Sequence, residues 1–179
     1  MGNTYKALKK SFGKYAVPDM LKELCDYWDN NPYYFAGSIE IQADEEHIAH
    51  DWFGDIEEGY SKVLPFGIDG AGSLIGFWLY EDGMTPDNAP VIFLSSEGVG
   101  STVIADNLAD YLVMLTANRD YVPFDGEFLE YEEEQRGESG EYRAWLKSKF
   151  GLDPVDDPEP LWEKGKSRHP DFEEWAESL

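Results

Sequence analysis

The sequence predicts an α+β fold: a single domain with an acidic C-terminal extension. Three observations predict it. Two segments, Pro18 to Asn30 and Asn107 to Ala117, carry apolar residues at helical spacing. Two apolar runs of strand length, Ser73–Tyr80 and Pro90–Ser95, are separated by a short loop, which argues an antiparallel pair. The chain of 179 residues is 42 % hydrophobic, enough for one sizeable core, so wholesale disorder is excluded.

In chain order, Lys6 to Phe12 is expected to form a short helix. The first clear helix follows it, with Pro18 at N1 and Asp19 in the first turn, where a negative charge meets the helix dipole. Its stripe is Met20, Leu21, Leu24, Cys25, Tyr27 and Trp28, and Asp29-Asn30-Asn31-Pro32 stops it. Ser38 to Gln42 alternates with period two and reads as a half-buried strand. Ala43 to Gly59 is acidic, and Ile48, Trp52 and Ile56 leave helix and irregular turns open. Lys62 to Gly67 leads into Asp69-Gly70, read as a turn that needs a positive φ at Gly70. After the two apolar strands, Thr102 to Ala105 is short and β-branched. Asp106 is placed to cap the second helix, whose stripe is Leu108, Tyr111, Leu112 and Leu115. A division at residues 1–122 and 123–179 separates the α+β domain from the partly helical extension, in which Pro154, Pro158 and Pro160 mark an extended connector and His169 stands alone.

Charge is the chain's strongest compositional feature. Fourteen Lys and Arg face 37 Asp and Glu, a net −23. From Glu23 to Asn118 there are 18 acidic residues and one basic residue, Lys62. Such a chain lacks the clustered cations that grip nucleic acid, and it is repelled by anionic membranes. A basic protein is the complementary partner. The single cysteine, Cys25, fits a reducing cytoplasm. The basic MGNTYKALKK start has no apolar segment after it and is not expected to act as a signal peptide, and Lys6 argues against myristoylation at Gly2.

Four segments in order carry a family resemblance: the helix opening at Pro18; LPFGIDGAGSLIGFWLY from Leu64; PVIFL from Pro90; and the Ala105-Asp106 step into ADNLADYLVML. Over roughly 100 residues this resembles the SUKH superfamily, which includes the yeast cell-wall-assembly regulator and many bacterial immunity proteins. The resemblance implies a twisted, mostly antiparallel sheet flanked by helices. It also implies a non-catalytic binder that neutralises a toxin domain, often a nuclease. The alternative within the family is an intracellular regulatory adaptor not tied to a toxin. Nothing of the family carries over to the segment beyond about Pro123.

No catalytic pattern in the sequence is specific. Gly67, Gly70 and Gly72 match neither the P-loop nor the dinucleotide fingerprint. His47 and His50, with Asp51, offer too few ligands for a metal site, and no cofactor is expected. Paired carboxylates are too abundant here to inform. Cys25 falls on an apolar helix face. The expected partner surface is Glu45, Glu46, Asp51, Trp52, Asp55, Glu57, Glu58, Glu81 and Asp82. Trp52 is either an aromatic anchor ringed by carboxylates or a side chain folded back onto the sheet.

Overall fold

The computed structural model describes residues 2–31, 36, 38–44, 47–54, 56–130 and 139–179. Helices α1 (Asn3–Ser11) and α2 (Asp19–Asn30) open the chain. Strand β1 (Glu40–Ile41), helices α3 (Ile48–Trp52) and α4 (Glu57–Tyr60), and strands β2 (Val63–Ile68), β3 (Leu74–Trp78), β4 (Val91–Leu94) and β5 (Thr102–Ala105) follow. Helix α5 (Leu108–Met114) runs into a 3-10 turn, Leu115–Ala117. Then come the hairpin β6 (Arg119–Val122) and β7 (Glu127–Glu130), and α6 (Ser139–Phe150), α7 (Glu159–Arg168) and α8 (Phe172–Glu177). Strands β1 to β5 form one antiparallel sheet in sequence order, and β6–β7 form a second, two-stranded one. Among the described residues no helix is long and apolar enough to cross a membrane.

Both faces of the large sheet are covered, so β3 and β4 are buried at every position. Because strand side chains alternate between faces, these two strands feed two separate cores. On one face Phe66, Ile75, Phe77, Val91 and Phe93 pack with Leu8, Leu21, Leu24 and Leu112, and with Tyr142, Leu146 and Trp162 from the C-terminal segment. On the other, Val63, Leu74, Trp78, Ile92 and Leu94 pack with Ala49, Phe53 and Phe172. Two cores explain why the chain carries six tryptophans. Trp162 belongs to the first core, and Trp78, flanked by Trp175, to the second.

Several sequence expectations shift by a residue or two. Pro18 precedes α2 in an extended conformation, and Asp19 is the first helical residue. β1 is only two residues long because the chain then turns to serve α3. Gln42 N–H still donates to Phe66 C=O (3.1 Å), and Asp44 accepts from the amides of Ile48 and Ala49 (2.7 and 2.9 Å). Residues 63–68, read as a lead-in, are a full strand. Pro65 is tolerated because it lies beyond the short β1, where β2 pairs with no further strand among the described residues, and the register shifts between Pro65 and Gly67. In the β2–β3 turn the positive φ (88°) falls on Gly72 and not Gly70, because Asp69 Oδ1 draws in the amides of Ala71 and Ser73 (2.9 and 2.7 Å).

The segment after residue 122 packs into the fold. Helix α7 lies along β5, the strand that ends the sheet, and covers an edge that would otherwise offer unpaired backbone groups. A glycine permits the approach: a Cβ on Gly165 would sit 3.0 Å from the backbone of Ala105 and Asp106. Tyr142 donates to Leu112 C=O (2.9 Å), and Arg143 to the carbonyls of Thr116 and Val155 (2.9 and 3.1 Å).

Candidate functional site

Asp106 is the clearest departure from the sequence expectation. The cap of α5 is Asn107, whose side-chain oxygen accepts from Asp110 N–H (2.9 Å). Released from capping, Asp106 turns towards α7. Its Oδ2 accepts from Arg168 (2.7 Å) and lies 3.4 Å from Lys164 Nζ, and its Oδ1 lies 3.1 Å from His169 Nε2. His169 therefore does not stand alone: its Nδ1 is 3.2 Å from Tyr80 Oη. Burial works to raise the Asp106 pKa, but the hydrogen bonds from His169 and Lys164 and the charge of Arg168 outweigh it, so the carboxyl stays ionised below its usual range. Tyr80 is held above its usual value by burial and by the charges of Glu81, Asp106 and Asp171, so it is a poor nucleophile. The cluster ties the C-terminal segment to the sheet.

Among the described residues no group of three His, Cys, Asp or Glu gathers as metal ligands. His47 sits before α3 in the left-handed conformation (φ 59°), so it does not share a helix face with His50, whose ring packs on Tyr60 (4.6 Å). Cys25 is fully buried, and burial together with the charges of Asp29 and Asp26 pushes its pKa up to about 12. Asp120 lines a cavity of about 60 Å³ between the sheet and the β6–β7 hairpin. Burial raises its pKa against the bond it accepts from Ser38 N–H (2.9 Å).

The carboxylates divide into those spent inside the fold and those left free. Asp26 and Asp29 bind the backbone at the start of α1, Asp44 serves α3, Asp69 shapes a turn, and Asp106 and Asp110 hold α7. Glu57, Glu58, Glu81 and Asp82 are exposed and make no ion pair among the described residues. The cations divide differently. Every described Lys and Arg after Asn118 is in an ion pair, as in Arg143–Asp156, Lys147–Asp153 and Lys149–Glu23. The net effect is an excess of unpaired negative charge at the surface.

The expected partner surface is not one patch. Leu79 N–H donates to Lys62 C=O (2.7 Å), which brings the α4 end, with Glu57 and Glu58, and the Glu81–Asp82 loop to one end of the sheet. Trp52 lies towards the other end. Its Nε1 donates to Ser95 C=O (2.8 Å) and its ring packs on Phe53, so it is folded back onto the sheet. Asp51 is exposed beside His50 (3.6 Å). The depression lined by His47, His50 and Tyr60 is also lined by Ser11 and Phe12, so α1, with Lys9 and Lys10, borders this acidic region. Glu45, Glu46 and Asp55 lie outside the described residues.

Two exposed apolar side chains were not legible as surface features. Val99, in the β4–β5 turn, is 48 % exposed, and Phe124, in the β6–β7 turn, is 70 % exposed. SSEGVGS reads in sequence as a turn and RDYVPF carries no strong apolar pattern, so nothing local sets Val99 or Phe124 apart as exposed apolar side chains. Comparison with protein-family models, with curated proteins and with solved structures finds no match to this chain.

Proposed function

We propose that this chain is a cytoplasmic, non-catalytic binding protein of the immunity type that the SUKH resemblance implies, and that it neutralises a basic, nuclease-type toxin domain by occupying its cationic surface. The observation that carries this reading is the partition of charge. The described C-terminal cations are consumed in ion pairs within the chain, while Glu57, Glu58, Glu81 and Asp82 stay exposed and make no ion pair among the described residues. Unpaired like charge at one end of a sheet disfavours folding slightly, and its return is attraction over distance. Opposite charges on two partners raise the rate of encounter more than they lengthen the complex, so association is where the effect appears.

The test is kinetic. In the Glu57→Lys/Glu58→Lys variant, association with a purified basic toxin domain is expected to slow and to lose part of its salt dependence, with dissociation little changed. Unchanged association at low salt removes this end of the sheet from the interface.

A further inference from the structure

Two turns from different sheets meet at one corner of the molecule. Tyr121 Oη donates to Gly100 C=O (3.2 Å). Gly100 lies so close to Pro123 that an added Cβ would come within 2.2 Å of the Pro123 carbonyl oxygen. Gly126 N–H closes the second turn on Val122 C=O (2.9 Å). The two turns are thus held together, and each presents one exposed apolar side chain, Val99 and Phe124. Around them Glu97, Asp125 and Glu127 are exposed and make no ion pair among the described residues, and neither turn contains a Lys or Arg. A large aromatic left in water at a fixed position, rimmed by charge of one sign, has the anatomy of an interface anchor.

We propose that the Val99–Phe124 tip docks a basic protein segment bearing an apolar side chain, with Phe124 as the anchor and Glu97, Asp125 and Glu127 as the charged rim. The proposal rests on the basic-partner reading and moves the lasting contact away from Trp52. Charge complementarity selects this occupant. A second copy of a chain with net −23 brings the same carboxylates and is repelled, and nucleic acid finds no cation on either turn. Because the turns are already locked together, little ordering is lost on binding.

The experiment is an amide chemical-shift titration of the full chain with a synthetic cationic–aromatic peptide, Ac-KWKRLKWK-amide. Two control peptides replace either its cations by Glu or its Trp and Leu by Ser. The largest shifts are expected at residues 97–100 and 124–127, with both controls weaker. Val99→Ser/Phe124→Ser, at exposed positions that leave the rest of the spectrum in place, is expected to weaken binding about tenfold or more. Glu57→Lys/Glu58→Lys is expected to slow association of the peptide, and so to weaken binding less than the loss of Val99 and Phe124 does. Shifts centred on Glu57, Glu58 and Glu81, or binding that survives loss of Val99 and Phe124, overturn the tip and leave the acidic-surface reading standing. Absence of binding anywhere on the chain overturns both.

Discussion

Replacing Asp106 by Asn separates its charge from its shape. The carboxylate is almost fully buried (8 % exposed), but its partners are unequal: Arg168 is 62 % exposed, Lys164 37 % and His169 11 %. Solvent screens the two cations, so each counts as a surface pair of about 0.5–1 kcal/mol. The His169 bond, shielded from water, is worth about 1.5 kcal/mol as a charge-assisted bond. Asn retains an acceptor for His169 and loses the charge, so the expected loss is about 1–2 kcal/mol at pH 7. For a carboxyl whose folded pKa is lowered, the stabilisation is present above the unfolded value of about 4 and is lost as pH falls through the folded value. The gap between parent and variant therefore narrows below about pH 4. Urea unfolding followed by tryptophan fluorescence between pH 7 and pH 3 measures it. A variant as stable as the parent at pH 7, or a gap that persists unchanged into acid, refutes the clasp.

Two further expectations follow from packing. Cys25, fully buried and with its pKa near 12, is expected to resist a thiol reagent in the native protein and to react at once in denaturant; rapid native labelling at pH 8 contradicts its placement in the core. Gly165→Ala gains about 1 kcal/mol of helix propensity, but its Cβ meets the rigid backbone of Ala105 and Asp106 at 3.0 Å, and such overpacking costs about 1–3 kcal/mol. Net destabilisation is expected from denaturant titration, and a more stable variant shows that α7 does not press on β5 as described.

The elements with strong periodicity were legible in the sequence, and those defined by long-range pairing were not. The stripes at Leu21, Leu24 and Cys25 and at Leu108, Tyr111 and Leu112 report burial directly, and both helices form where expected. β2 was missed because Pro65 and Gly67 are locally poor strand residues; only the shortness of β1 makes them acceptable, and that is a property of the neighbour. Asp106 matches a helix cap in local sequence. What redirects it is α7, more than fifty residues away, arriving with Lys164, Arg168 and His169. The acidic surface was half legible for the same reason. Sequence counts carboxylates, but Asp44, Asp69, Asp106 and Asp110 are used within the fold, whereas Glu57, Glu58, Glu81 and Asp82 are not. Trp52 illustrates the limit: its indole N–H is occupied by a carbonyl 43 residues away.

The central claim, that unpaired negative charge recruits a basic protein, is tested most directly by the salt dependence of association. The tagged full chain captures partners from its source lysate, the dominant polypeptide is identified and purified, and its association rate is measured from about 0.01 M to about 0.15 M salt, over which the screening length falls from about 30 Å to about 8 Å. A basic polypeptide whose association slows steeply over that range, while dissociation barely changes, is the predicted result. Capture of no partner, or of one whose association rate is indifferent to salt, contradicts the account.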